Sequence, residues 1–133
     1  VAPFVINGRL KSLLLAVPTE DKHIVHVSAM EGQFYRTYKS DKHPHTNMAK
    51  AALNMMLQCL AHELVRVNPS AKVVAYHPGT VDTPLSKPFQ AAVSPEALLQ
   101  PDQAAEALDS VLSQVVADGT LSYLDWRGQP IPF

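Results

Sequence analysis

The sequence predicts one compact domain of the α/β class. Segments with a helical spacing of apolar residues alternate with short apolar segments typical of strands, and this order favours a layered fold with parallel strands. The length of 133 residues fits a single domain. Hydrophobic residues make up 47% of the chain, which is enough for a core and too many for a disordered segment.

The first half of the chain predicts two helices with a strand and a long loop between them. Phe4 to Leu15 is predicted to be a helix, and Pro18 ends it. Ile24 to Val27 is predicted to be a short strand. The polar stretch from Ala29 to Pro44 is predicted to be an ordered loop or lid, since such long connections are usually functional or mobile. A long helix follows from about His45 to about Val67.

This long helix carries two adjoining apolar stripes, so we expect it to be buried on two sides. The first stripe contains Met48, Ala52, Met55, Cys59 and His62, and the second contains Leu53, Met56, Leu60 and Leu64. Because Cys59 lies on the first stripe, we expect its thiol to be buried and inert. We expect the methionines to belong to the core or to a subunit interface.

The second half of the chain predicts two more strands and a helix. Val73 to Tyr76 is predicted to be a strand, and His77 to Pro95 an irregular, proline-containing loop that covers a substrate. A helix is predicted from Pro101 to about Ala117, with Gly119 just after its end. Leu121 to Leu124 is predicted to be the last strand.

Composition and charge exclude several classes of function. The net charge is −1 with both signs mixed along the chain, which argues against a surface for nucleic acid or anionic membranes. No apolar run is long enough to span a bilayer. The single cysteine rules out an internal disulfide, so the cytoplasm is the expected compartment.

The six histidines do not predict a metal site. His43 and His45 are two residues apart on a loop, and His23 and His26 lie along one strand. No carboxylate or cysteine joins either pair at the spacing of metal ligands.

Three motifs occur in a fixed order along the chain. Ser28 ends the apolar strand-like run that begins at His23, and Lys50 follows 22 residues later within the run Thr46–Asn54. The segment Tyr76–Pro84 then follows the next predicted strand. In order, spacing and placement these motifs resemble the C-terminal half of classical short-chain dehydrogenases/reductases, and the resemblance covers nearly the whole chain.

Two branches of that family are recognisable in different parts of the chain. The part from His77 through the Trp126 region looks closest to the reductases that resemble the cell-contact signalling factor. Val27 to Met56 resembles another branch, with the loop sequence Glu31–Arg36. The resemblance implies the last three strands and flanking helices of a Rossmann-type, doubly wound parallel sheet. It also implies an NAD(P)-dependent oxidoreductase that transfers hydride to or from a carbonyl or alcohol carbon.

The chemistry of the family assigns roles to particular residues. A tyrosine phenol exchanges a proton with the substrate oxygen, and a nearby lysine ammonium lowers the high pKa of that phenol. By resemblance, Lys50 takes the lysine role and also binds the cofactor ribose, and Ser28 polarises the substrate oxygen. Thr83 would contact the carboxamide or the pyrophosphate. The loop that meets the nicotinamide would consist of Pro78, Gly79, Thr80 and Val81.

The chain departs from the family at the catalytic tyrosine. Thr46 occupies that position, four residues before Lys50, and the pKa of a threonine hydroxyl is far too high for this role. Three alternatives are open. Tyr35 or Tyr38 reaches in from the loop, a histidine at 43 or 45 donates the proton, or the chain is a catalytically inactive interaction or structural protein derived from the fold.

A second departure concerns the cofactor half of the fold. The five glycines, Gly8, Gly32, Gly79, Gly119 and Gly128, are too far apart to form the glycine-rich turn that holds a dinucleotide pyrophosphate. We therefore expect residues 1–133 to be one partial Rossmann-like domain without that half. The first strand would then have an open apolar edge. In the family the two longest helices pack against their copies, so a homo-oligomer is expected.

Overall fold

The structure is a computed structural model that describes residues 1–39, 41–116, 118 and 120–133, without the side chain of residue 65. Its helices and strands in chain order are α1 (Ala2–Ala16), β1 (Lys22–Val27), α2 (Pro44–Val67), β2 (Ala71–His77), β3 (Thr80–Val81), β4 (Leu98–Leu99), α3 (Pro101–Gln114) and β5 (Leu121–Asp125). Short 3₁₀ helices occupy Met30–Gly32, Lys87–Ala92 and Pro95–Ala97. All six predicted helices and strands are present, and most begin or end within two residues of their predicted bounds.

A three-stranded parallel sheet organises the fold. Its strand order is β1-β2-β5, so β2 lies in the centre. Ile24 is paired with Val73 across β1 and β2, and His77 is paired with Asp125 across β2 and β5. The predicted α/β class, three parallel strands with flanking helices, is confirmed.

The core lies on both faces of β2, because alternate side chains of a strand point to opposite faces. On one face Val73 and Ala75 pack beneath α2. The α2 residues on this face are Leu57, Ala61 and Leu64. On the other face Val74 and Tyr76 pack against Val111 and Val115 of the α3 segment. This arrangement makes β2 the most completely buried strand and fixes where its carboxyl end emerges.

The burial of α2 differs from the prediction. Its buried line consists of Asn54, Leu57, Ala61 and Leu64, which face the sheet. Met48 and Met55 of the first predicted stripe are 67% and 55% exposed, and Cys59 is exposed rather than buried. The first stripe was predicted wrongly because the helix is apolar on several sides, and periodicity alone does not tell which side meets the sheet. The second stripe packs against the core as expected, with Leu64 buried and Leu53, Met56 and Leu60 partly buried.

Helix α1 has no buried residue. It contacts the rest of the chain through a hydrogen bond of 3.1 Å between His26 Nε2 and Asn7 Oδ1, and through an ion pair between Lys11 and Glu63. Its exposed apolar side chains are Phe4, Val5, Ile6, Leu10 and Leu13. A helix that is apolar on most sides is normally covered by further protein.

The loop predicted to be irregular contains regular structure. β3 and β4 pair in parallel, with Thr80 opposite Leu98 and Val81 opposite Leu99. Two 3₁₀ helices lie between these strands. Apolar periodicity did not reveal strands of only two residues. Helix α3 ends at Gln114, three residues earlier than predicted, and the predicted end at Ala117 and the following Gly119 lie outside the described residues.

Candidate active site at the carboxyl edge of the sheet

The carboxyl ends of β1, β2 and β5 lie side by side and bring the predicted motifs together. Ser28 follows β1, while His77 and Asp125 end their strands. The backbone N–H of Ser28 donates to the Tyr76 carbonyl at 2.7 Å, which holds the first two strand ends in register. Ligands of open α/β sheets bind at this edge, so the candidate site is built here.

Lys50 reaches the end of β1 from α2. Its Nζ donates a hydrogen bond of 2.7 Å to the Val27 carbonyl. The peptide between Val27 and Ser28 is therefore held on both sides, since its N–H donates to Tyr76. The side chain of Lys50 also lines a cavity of about 370 Å³ between α2 and the start of α1. The structure thus places Lys50 directly beside the strand end that carries Ser28.

Ser28 itself faces the inside of the molecule. It is 1% exposed, and its Oγ donates a hydrogen bond of 2.6 Å to Asn54 Oδ1 on α2. Close by, the Tyr123 hydroxyl donates at 2.6 Å to the Ala29 carbonyl. Burial raises the pKa of Tyr123, and its contacts with Ser28 and Asn54 counteract this. The single proton of the Ser28 hydroxyl is therefore engaged by Asn54, and it can be donated to a substrate oxygen only after this hydrogen bond breaks.

Asn54 and Tyr123 were missed at the level of sequence. Asn54 lies four residues after Lys50, one helical turn further along α2, and this spacing is the signal that would have found it. Tyr123 belongs to the last strand, and nothing in the sequence connects it with Ser28. Gly32 packs against the same cluster, since a Cβ there would lie 2.9 Å from Asn54 Nδ2.

The candidate proton donors lie outside this buried cluster. Thr46 is half-buried near the start of α2, one turn before Lys50. Tyr35 and Tyr38 are 90% and 74% exposed. Within the described part of the chain, no hydrogen bond joins either tyrosine to Lys50 or Ser28. Neither loop tyrosine is therefore placed at the strand ends.

His43, at the N-cap of α2, contacts the proline-containing loop, and His45 lies beside it in the first turn of α2. The rings of His43 and His45 meet edge to face with centroids 5.9 Å apart. His43, which has a left-handed backbone with φ of 56°, also meets Phe89 at 6.0 Å. The contact between His43 and Phe89 joins the start of α2 to the 3₁₀ helix of residues 87–92.

The turn after β2 is shaped by Gly79 and Trp126. Gly79 has a φ of 72°, a conformation that favours glycine. A Cβ on this residue would lie 2.8 Å from Trp126 Cδ1, so the indole packs directly against the turn. The Arg127 guanidinium covers the Trp126 ring at 4.5 Å from its centroid. The close approach of backbone and indole gives the Pro78–Val81 segment a defined course at the sheet edge.

Ser86 supports the remainder of this loop. Its Oγ donates to the Val81 carbonyl at 2.5 Å and accepts a hydrogen bond of 3.1 Å from the Thr83 N–H. The Thr83 hydroxyl lies 3.4 Å from the same Oγ. Gln90 donates at 2.9 Å to Asp82 Oδ1. Thr83 is consequently held by hydrogen bonds within its own loop, next to the Pro78–Val81 segment.

His77 is a further residue of this edge that the sequence analysis did not single out. It is half-buried, and its Nδ1 is enclosed without a hydrogen-bond partner among the described residues. Burial lowers the pKa of His77, the Glu31 and Asp125 carboxylates raise it, and the Arg36 guanidinium lowers it. The sequence feature that could have identified His77 is its position immediately before Pro78, at the end of a strand predicted to be buried.

The described residues contain no group of three or more histidine, cysteine, aspartate or glutamate side chains placed to hold a metal ion. Among the helices that the structure describes, none combines the length and apolar character needed to cross a membrane.

Solved structures with a similar fold include reductases. The chain aligns over 99% of its length with a carbonyl reductase from chicken fatty liver with bound NADPH, with a TM-score of 0.80 and 21% identity. It also aligns over 98% of its length with a short-chain dehydrogenase/reductase from Burkholderia multivorans with bound NADP, with a TM-score of 0.74 and 24% identity. It covers 53% and 51% of those chains. The predicted resemblance to short-chain dehydrogenases/reductases is confirmed.

Relatives by sequence cover smaller parts of the chain. A short chain dehydrogenase/reductase of Claviceps purpurea is 35% identical over 77 residues, which are 58% of this chain and 25% of that protein. Uncharacterized protein R665 of Acanthamoeba polyphaga mimivirus is 54% identical over 44 residues, 33% of this chain and 9% of that protein. No protein-family model matches the chain. The chain therefore spans a quarter or less of these relatives and about half of the solved structures.

The contact between Gly79 and Trp126 generates a test of the turn. We expect Gly79→Ala to destabilise the protein by roughly 1–3 kcal/mol, because the new methyl group meets the indole and the left-handed φ strains alanine. Gly8→Ala is the matched control. Gly8 lies within α1 with nothing near its Cβ position, so alanine there should stabilise by up to about 1 kcal/mol.

Urea unfolding of both variants, followed by circular dichroism, measures these changes. Equal stability of Gly79→Ala and wild type would show that the turn is not packed against Trp126 as described.

Proposed function

We propose that this chain is the C-terminal part of an NAD(P)-dependent oxidoreductase of the short-chain dehydrogenase/reductase family. The reaction is hydride transfer between a nicotinamide and a carbonyl or alcohol carbon of a small molecule. The observation that carries the proposal is the position of Lys50 at the end of β1, with the Gly79 turn formed at the same edge of the sheet. The similarity to reductases of known structure supports it.

The residues present fit a nicotinamide cofactor. The Lys50 ammonium uses one of its three protons on the Val27 carbonyl, so two remain for ribose hydroxyls, and the residue lines an open cavity. The missing side chain of Gly79 makes room for the Trp126 indole, which fixes the course of the turn whose backbone would meet the nicotinamide. In this proposal the nicotinamide is met by Pro78, Gly79, Thr80 and Val81, and Thr83 contacts the carboxamide or pyrophosphate. The bound cofactor would supply or accept the hydride.

The proposal also includes a dinucleotide-binding half of the fold that residues 1–133 do not contain. Residues 1–133 form one partial Rossmann-like domain, and none of its five glycines builds the turn that holds a pyrophosphate. The solved structures with bound NADPH and NADP span about twice this length. They favour NADP as the cofactor, with NAD as the alternative. We also propose that the C-terminal region is most similar to the reductase branch related to the cell-contact signalling factor.

Within this reaction Ser28 and Lys50 remain the predicted assisting residues. By resemblance, Lys50 would lower the pKa of a tyrosine proton donor by its charge. Ser28 polarises the substrate oxygen once its hydroxyl is released from Asn54. Tyr35 and Tyr38 remain proton donors only if the exposed loop that carries them folds toward the strand ends. Aldehydes or ketones and their alcohols are the substrate class, and the cytoplasm is the proposed compartment.

Replacement of Lys50 tests the enzymatic role directly. We expect Lys50→Met in the intact natural protein to lower kcat/KM for NADPH-dependent carbonyl reduction by about 100-fold, because the ammonium that binds the ribose and assists proton transfer is lost. Lys72→Met is the matched control. Lys72 lies at the opposite end of β2, where it pairs with Asp21 at 3.6 Å, so its loss should leave turnover within twofold.

Steady-state kinetics at several cofactor concentrations separates cofactor binding from turnover. Full activity of Lys50→Met would contradict the proposed role, provided that circular dichroism shows a folded variant.

A second candidate function is a non-enzymatic interaction or structural protein derived from this fold. Thr46 at the tyrosine position favours it, and so do the exposed apolar faces of α1 and α2. In that case neither Lys50→Met nor any change at the strand ends would alter a reductase activity, because wild type would have none.

Self-association is proposed in either case. The outer faces of α1 and α2 line a groove of about 500 Å³ between Phe4, Gly8, Met55 and Cys59. Leu10 and Leu13 lie exposed on the same helix. Exposed apolar areas of this kind mark sites of association. We propose that a second copy of the chain covers this face and forms a homo-oligomer.

Sedimentation tests this association. We expect wild type to sediment as a dimer or larger assembly and Met55→Glu to sediment as a monomer, because each charge would be buried without a partner at the interface. Leu85→Glu is the matched control, since Leu85 is 86% exposed on the loop after β3. Its assembly should equal that of wild type. A monodisperse wild-type monomer would contradict the proposal.

A further inference from the structure

His77 is the one histidine of the described chain that ends a strand at the candidate site. It follows four consecutive buried residues of β2, Val73, Val74, Ala75 and Tyr76, and it is paired with Asp125. Because side chains alternate along a strand, His77 points to the same face as Ala75, which is the face covered by α2. This is also the face on which Ser28 meets Asn54.

His77 is connected to Lys50 through two hydrogen bonds. Lys50 Nζ donates to the Val27 carbonyl, and the N–H of the same peptide, on Ser28, donates to the Tyr76 carbonyl. That carbonyl lies in the peptide bond between Tyr76 and His77. The backbone of His77 and the Lys50 ammonium group are therefore connected through one peptide that bridges the ends of β1 and β2.

The surroundings of the ring suit a group that holds and releases a proton. The Glu31 carboxylate, from the 3₁₀ helix after β1, and the Asp125 carboxylate, from β5, favour the charged imidazolium. Burial and the Arg36 guanidinium favour the neutral ring. Of the two ring nitrogens, only Nδ1 is both enclosed and unpartnered, which leaves Nε2 as the nitrogen open to a substrate.

The other candidate proton donors are less well placed: His43 and His45 are exposed and contact each other, and His43 meets Phe89. Thr46 has an alcohol whose proton is not acidic enough, and Tyr35 and Tyr38 are directed to solvent. Tyr123 is 3% exposed, and its hydroxyl donates to the Ala29 carbonyl. Histidine is the side chain whose ordinary pKa allows proton transfer near neutral pH.

We propose that His77 is the catalytic acid and base that replaces the missing tyrosine at position 46. The inference rests on the proposed oxidoreductase function. During reduction, a bound nicotinamide would supply the hydride for the new C–H bond, and the electrons of the carbonyl π bond would move to the oxygen. That oxygen takes the proton from Nε2 of the imidazolium and leaves His77 neutral. Oxidation of an alcohol reverses each transfer.

The test compares two histidine variants of the intact natural protein. We expect His77→Asn to lower kcat for carbonyl reduction by about 100-fold, a typical loss for a general acid. His26→Asn is the matched control. His26 is half-buried on β1, and burial lowers its pKa as it does for His77, but it bonds Asn7 on α1. Its removal should leave kcat within twofold.

A rescue variant distinguishes a proton donor from a structural residue. Thr46→Tyr should restore at least one-tenth of the lost activity to His77→Asn, because a phenol at this position lies one helical turn from Lys50. A merely structural defect at His77 would not respond to a phenol on another element.

The pH dependence provides a second signature. Reduction needs protonated His77, so kcat should fall as pH rises through a pKa below the ordinary value of 6.5. Glu31→Gln removes a carboxylate that raises this pKa and should move the fall to lower pH. NMR titration of the His77 ring should show the same displacement in the absence of cofactor, which makes this readout independent of turnover.

The outcomes separate the two claims. A wild type that reduces no carbonyl compound overturns the proposed function, and the role of His77 with it. An active wild type whose His77→Asn variant keeps full kcat and an unchanged pH profile overturns the role of His77 alone. Loss in His77→Asn, rescue by Thr46→Tyr and the displacement caused by Glu31→Gln together support it.

Discussion

The hydrogen bond between Ser28 and Asn54 is the interaction on which the rest of the site depends. It is buried, 2.6 Å long, and joins the end of β1 to the middle of α2. Removing one partner would leave the other enclosed without a hydrogen bond, at a cost of roughly 1–3 kcal/mol. Lys50 adds a second link one turn earlier, on the Val27 carbonyl. Together these two hydrogen bonds fix the position of α2 relative to the strand ends.

The remaining features follow from this placement. With β1 fixed, its hydrogen bond to Tyr76 sets the end of β2, and His77 and the Gly79 turn emerge beside it. Trp126 on the segment after β5 closes the turn from the other side. The site is thus assembled from three neighbouring strand ends, while the two longest helices keep apolar faces that further protein would cover.

Much of the fold was predictable from the sequence, because apolar periodicity reports which segments are helices and strands. The motifs around Ser28, Lys50 and Gly79 also predicted which residues meet at the carboxyl edge. Periodicity did not reveal which side of α2 faces the sheet, since Met55 and Leu57 are both apolar and only packing distinguishes them. Partners distant in sequence were equally hidden. Ala29 meets Tyr123 across 94 residues, and no local pattern records such a contact.

The most direct test of the account is the transfer of isotope from the cofactor to a substrate. The intact natural protein would be incubated with reduced nicotinamide cofactor deuterated at C4 and a mixture of aldehydes and ketones, and the alcohols analysed by mass spectrometry. We expect alcohols that carry one deuterium on the former carbonyl carbon. A folded protein, able to bind the cofactor, that yields no deuterated alcohol would contradict the oxidoreductase function and favour the interaction protein.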